Sequence, residues 1–227
     1  FPGATHTRFS HSLGVMHLAG RMLERLFVQS PAGGLAAEER ERLTRLMRLA
    51  ALLHDLGHPP FSHALEDLFE PGVGHEAMAR DLVLNTEIAG IIEERERPHG
   101  IGPEEVTALM AGPPAPGLEY LSTVLSSELD IDKMDYLLRD SLYCGVRYGT
   151  FDLERLLHTA VLVQAPGGPR LGVHESGIHA LEAFVLARYY MFAQVYFNVV
   201  SKVLELHLKR FFASLGLRWA RPVGEFL

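Results

Sequence analysis

The chain has 227 residues, with 21 Lys and Arg against 28 Asp and Glu, a balance of −7 with histidine neutral. That length suits one domain around one core, and the acidic balance argues against a general nucleic-acid or anionic-membrane binder. A single cysteine, Cys144, excludes an internal disulfide framework and any multi-cysteine zinc motif, so a metal would need histidine and carboxylate ligands.

From the N-terminus, Phe9, Leu13, Met16, Leu23 and Leu26 recur at helical spacing behind a cap at Thr7, predicting a helix over 8–28. After a Ser-Pro-Ala-Gly-Gly loop, an amphipathic helix is expected over 38–56, with His54 and Asp55 at its C-terminal end. Gly57, Pro59 and Pro60 break the pattern, and a short helix follows over 61–69. Further helices are expected over 75–96, 103–110 and 131–143, then over 176–215 as two helices or one bent one. The one strand signal is a hairpin pairing 160–164 with 170–174 around Pro166-Gly167-Gly168-Pro169. The expected fold is therefore mostly α with a small β-hairpin. Arg48, Arg188 and Gln194 interrupt the longest apolar stretches, leaving no run of ~18–20 apolar residues to span a bilayer. A cytoplasmic protein is the resulting expectation. Starting at Phe1 with no initiator Met, the sequence reads as a single domain over 1–227 cut from a longer chain, and Cys144 reads as buried and inert.

The chemistry concentrates in His54-Asp55, with His11 upstream and Asp132 downstream. Two imidazoles and two carboxylates suit one divalent cation, balance its charge and leave positions for water and a substrate oxygen. Mn, Mg, Fe, Co, Ni and Zn all remain open. The competing role for these four residues is helix capping and core hydrogen bonding. Beside them lie His58, His63 and His75-Glu76; histidine titrates nearest neutrality, which suits proton transfer at an ester oxygen. No complete second set of metal ligands is evident from the sequence.

The strings Arg8-Phe9-Ser10-His11-Ser12-Leu13-Gly14-Val15, Leu53-His54-Asp55-Leu56-Gly57-His58-Pro59-Pro60-Phe61-Ser62-His63, His75-Glu76, and Asp130-Ile131-Asp132-Lys133-Met134-Asp135-Tyr136 resemble the HD-domain phosphohydrolases. The resemblance is nearest to their deoxynucleoside triphosphate triphosphohydrolase (dGTPase-like) branch. It implies an HD-domain helical core and release of a deoxynucleoside and intact triphosphate from a dNTP. By that resemblance His11, His54, Asp55 and Asp132 are the metal ligands. His58, His63 and His75 surround the α-phosphate, with His75 the catalytic one. Arg8, Lys133 and Arg188 look like phosphate-chain contacts, and Tyr136 like a phosphate or sugar contact. Asp140 resembles the partner of the sugar 3′-hydroxyl, and Tyr196 the aromatic that packs on the deoxyribose. A homo-oligomer is implied as well. Two departures stand out: the family's Gln-Leu pair would lie ahead of Phe1, and Phe197-Asn198-Val199 replaces the His and Lys that serve an allosteric nucleotide site in regulated members. Another nucleotide phosphoester, such as a dNMP, a cyclic dinucleotide or an alarmone, and a regulatory module that binds without turnover are the alternatives.

Overall fold

A computed structural model describes residues 1–29, 35–68, 73–166 and 168–216. Ten α-helices and one hairpin make up the described fold, as the apolar spacing predicts. Helix α1 spans Arg8–Gln29 and α2 spans Ala37–Leu53, packed side by side. Thr7 and Ser10 cap α1 reciprocally: Ser10 N donates to Thr7 Oγ1 at 3.2 Å and Thr7 N donates to Ser10 Oγ at 3.3 Å. Met22, Leu23 and Leu26 of α1 meet Leu43, Leu46 and Met47 of α2 in a fully buried layer. Truncating one of these side chains to alanine costs about 2–5 kcal/mol.

Three expectations are corrected. Helix α2 stops at Leu53, three residues early, because 54–57 form a turn in which Leu56 N donates to Leu53 O and His58 N to Asp55 O. The segment expected as a short helix over 61–69 is a 3-10 helix, Ser62–Leu68, entered through Phe61 and Ser62 at φ 65° and 52°. Non-glycine residues in that left-handed region cost about 1–2 kcal/mol each. Finally, the helix expected over 75–96 is split into α3 (His75–Asn85) and α4 (Glu87–Glu96) at Thr86, which takes extended backbone and caps α4 by accepting from Ile88 N at 3.3 Å. A threonine there offers the backbone an alternative to continuing the helix.

Helices α5 (Pro103–Ala111) and α6 (Glu119–Leu125) lead to α7 (Ile131–Cys144), whose amphipathic face buries Ile131, Met134 and Leu137 against α1. Asp130 caps α7 from full burial, accepting from Lys133 N at 2.7 Å, Ser127 N at 2.8 Å and Lys133 Nζ at 2.6 Å. Helix α8 (Leu153–Thr159), not expected from periodicity, runs into β1 (Ala160–Ala165), which pairs antiparallel with β2 (Gly168–Val173). The final expected stretch resolves into α9 (Ile178–Met191), a π turn over Phe192–Tyr196, and α10 (Val199–Leu215) capped by Asn198. Among the described residues no helix is long and apolar enough to cross a membrane. Cys144 is half-buried, less than expected, and burial followed by the nearby Asp140 charge pushes its thiol up, so it stays protonated.

Candidate functional site

Three helix ends build one cluster. His11 comes from the first turn of α1, His54 and Asp55 from the turn after α2, and Asp132 from the first turn of α7. His11 Nε2 lies 2.9 Å from Asp132 Oδ1 and 3.7 Å from Asp55 Oδ2. His54 Nε2 lies 3.4 Å from Asp132 Oδ1 and 3.5 Å from Asp55 Oδ1, is buried, and completes no hydrogen bond. Its Nδ1 is committed to Ala51 O at 2.8 Å, so the ring presents Nε2 to the cluster with its tautomer fixed from behind.

The electrostatics match. Burial favours neutral forms, yet Asp132 and Asp135 outweigh it and raise His11 to about 9. His54 is raised likewise, burial being overcome by Asp132 and Asp55. In turn, burial of Asp55 is overcome by His58, His54 and Arg8, which hold it at about 2, and His11 and His54 hold Asp132 well below the usual carboxylate range. The cluster thus draws in positive charge, and an unpartnered buried imidazole nitrogen facing two carboxylates is the donor set a divalent cation takes. His11, His54 and Asp55 place their ligand atoms within 4.8 Å of one another, and Asp132 completes the set. The residues fit the group that the sequence implies.

A feature absent from the sequence reading supports this cluster from outside. Asp135 Oδ2 lies 2.8 Å from His11 Nδ1, and Arg139 grips Asp135 through Nε at 2.7 Å and Nη2 at 2.9 Å. Gly14 makes room: a Cβ there would lie 1.9 Å from Asp135 Oδ1. The signal was in the string, since Asp135 and Arg139 sit one helical turn apart on α7.

A second cluster adjoins the first. His58 Nε2 lies 3.3 Å from Asp55 Oδ1, His58 Nδ1 lies 3.3 Å from Glu66 Oε1, and His75 Nδ1 lies 2.8 Å from the same oxygen. The His58 and His75 rings stack at 4.0 Å and 10°. His75 reaches this place because Gly57 lets the start of α3 press on the turn: a Cβ on Gly57 would lie 1.9 Å from His75 O. The sequence showed no complete second ligand set, but the fold brings ligand atoms of His58, Glu66 and His75 within 4.8 Å. The His63 side chain lies outside the described residues.

A cavity of 620 Å³ opens over both clusters, lined by Arg8, His11, His54, Asp55, His58, His75 and Asp132 at one end and by His6, Tyr136, Asp140, Phe192 and Tyr196 at the other. Arg8 is hydrogen-bonded to Asp55 and to Ser62. Lys133 and Arg188 are not among the lining residues: Lys133 is tied to Asp130, and Arg188 Nη1 donates to Glu128 Oε2 at 2.7 Å. Burial and the Asp132 charge keep Tyr136 a phenol, and burial and Asp140 do the same for Tyr196, whose hydroxyl donates to Asp140 Oδ2 at 2.7 Å. His6, assigned nothing from the sequence, holds the other Asp140 oxygen.

Comparison with known proteins gives a consistent picture. A family model described as the HD domain matches residues 8–140, which contain the whole cluster. The uncharacterized protein YwfO of Bacillus subtilis is 39% identical over 211 residues, covering 92% of this chain and 45% of that protein. A deoxynucleoside triphosphate triphosphohydrolase SAMHD1 homolog of Dictyostelium discoideum is 31% identical over 215 residues, covering 90% of this chain and 39% of that one. The crystal structure of a hypothetical protein from Aquifex aeolicus matches with a TM-score of 0.75 at 38% identity, covering 94% of this chain and 53% of that one. The chain spans about half or less of the length of these relatives.

Proposed function

We propose that this chain, which belongs to the HD-domain family, carries a metal-dependent phosphohydrolase site that acts on deoxynucleoside triphosphates at the α-phosphorus. The observation that carries the reading is the convergence of His11, His54, Asp55 and Asp132 around a buried, unpartnered His54 Nε2 at the floor of the cavity. These four side chains would hold one divalent cation, which polarises a phosphoryl oxygen and lowers the pKa of a bound water.

The chain's own groups supply the rest. Arg8 faces the cavity and neutralises phosphate charge beside the cluster. Lys133 and Arg188 are proposed as further phosphate contacts that leave Asp130 and Glu128 when a triphosphate enters. Attack of water on the α-phosphorus breaks its bond to the 5′-oxygen, which must take up a proton. His75 is placed for this: Glu66 engages its Nδ1 at 2.8 Å, so its Nε2 is the nitrogen left for the leaving oxygen. His58 and His63 attend the same phosphate. At the other end Tyr136 and Tyr196 flank the sugar and Asp140 accepts from its 3′-hydroxyl. The apolar residues exposed along α9 and α10, including Val185, Tyr189, Val203 and Leu204, support assembly into a homo-oligomer, which light scattering on the purified protein checks.

Incubation with a dNTP panel and Mn²⁺ or Mg²⁺, followed by chromatography, should show deoxynucleoside and triphosphate. Pyrophosphate or orthophosphate as first product overturns the assignment to the α-phosphorus. The His58–Glu66–His75 grouping favours a second reading, a two-cation site acting on another nucleotide phosphoester. Metal content separates the two: one equivalent per chain supports the first, two support the second. Stabilisation by nucleotides without any product would instead indicate a regulatory binding module.

A further inference from the structure

The far end of the cavity is built from three places distant in sequence. Helix α7 carries Asp132, Tyr136 and Asp140 at successive spacings of four, so all three share one face, with the two carboxylates about 12 Å apart along the axis. Each oxygen of Asp140 is held by a different element. Tyr196, from the π turn, donates to Oδ2 at 2.7 Å. His6, ahead of α1, meets Oδ1 through Nε2 at 2.7 Å while its ring packs on Tyr143 at 4.6 Å. A carboxylate only accepts, so His6 Nε2 carries the proton; its Nδ1 is buried with no hydrogen-bond partner.

Two donors, one per oxygen, fix the carboxylate plane and still leave each oxygen a free lone pair. An anion of this kind repels phosphate and welcomes a neutral hydroxyl donor. The cavity is thereby polarised, with Arg8 and the histidines at one end and a clamped carboxylate at the other.

We infer that His6 is a positioning residue for Asp140, and that preference for a ligand bearing a 3′-hydroxyl depends on it. This deepens the proposed function and rests on its reading of Asp140. His6→Phe keeps a ring against Tyr143 and removes the donor, whereas His6→Gln keeps a donor nitrogen. The full chain and both variants are compared on each dNTP and its 2′,3′-dideoxy counterpart, by turnover in Mn²⁺ and by equilibrium titration in Ca²⁺, with melting temperature recorded alongside.

The expected result is a preference for the 3′-hydroxyl nucleotide that falls about tenfold to a hundredfold in His6→Phe, mainly through KM, and is restored in His6→Gln. A His6→Phe chain that keeps the original preference overturns the inference. So does one that loses both nucleotides equally along with its melting temperature, which would mark His6 as structural only. If the unaltered chain does not distinguish the two nucleotides, the reading of Asp140 falls and the inference with it. Discrimination in binding without turnover would sink the hydrolase reading and sustain the role of His6.

Discussion

The two ends of the cavity are made in opposite ways. At the cation end, four ligands come from the ends of three packed helices, and each is braced from behind: His11 by Asp135 and Arg139, His54 by Ala51 O. At the sugar end, one carboxylate is held by an extended residue before α1 and a tyrosine on a π turn, among aromatic rings. The first end is rigid through helix packing and charge. The second depends on segments that lie outside the 8–140 match, which suits an end that sets specificity while the other sets the chemistry.

The largest test of this contrast is at the cation end. Asp55→Ala should abolish bound metal and lower turnover by about a thousandfold or more, read by elemental analysis and product chromatography on one preparation. Should metal stay while activity goes, the ligand assignment is wrong. His75→Ala should slow turnover about a hundredfold or more and leave the first cation in place, because its part is to donate a proton. Loss of that cation would place His75 among the ligands.

Smaller effects probe the bracing. Asp135→Ala frees the back of the His11 ring and strands Arg139, so cation affinity should fall about tenfold to a hundredfold in a competitive chelator titration. An affinity equal to the original would make the brace irrelevant. In the metal-free protein, His11 is raised from 6.5 to about 9, so its contribution to stability is complete below pH 6.5 and fades as pH rises through 9. The metal-free melting temperature should decline across that window while cation affinity climbs, since binding displaces the proton; a flat pair of profiles contradicts both. Smallest of all, Asn198→Ala removes the cap that accepts from Val200 N and Ser201 N and should cost about 1 kcal/mol in denaturant unfolding.

How far the sequence spoke follows the same division. Periodicity located α1, α5, α7 and the hairpin within a residue or two, because their buried faces are long and regular. It missed α6 and α8, which are too short to show a period, and the break at Thr86, which is a local capping choice. The four ligands were legible because each lies in a compact string. His6 was not, since nothing near it in sequence announces a partner at residue 140, and Asp135 was overlooked inside a string whose other aspartate drew the attention. Lys133 and Arg188 were legible as cations, but the carboxylates they would meet in the fold were not.

The π turn between α9 and α10 carries one further consequence. Phe197 N donates to Phe192 O at 2.9 Å, a reach of five residues where an α-helix uses four. Deleting a single residue between Phe192 and Tyr196 would restore ordinary helical bonding and rotate everything beyond it by about 100° around the axis. Tyr196 would swing away from Asp140, and α10 with it. Chain length in this stretch is therefore under tighter constraint than side-chain identity, and an insertion or deletion scan should find here the segment least tolerant of a change by one.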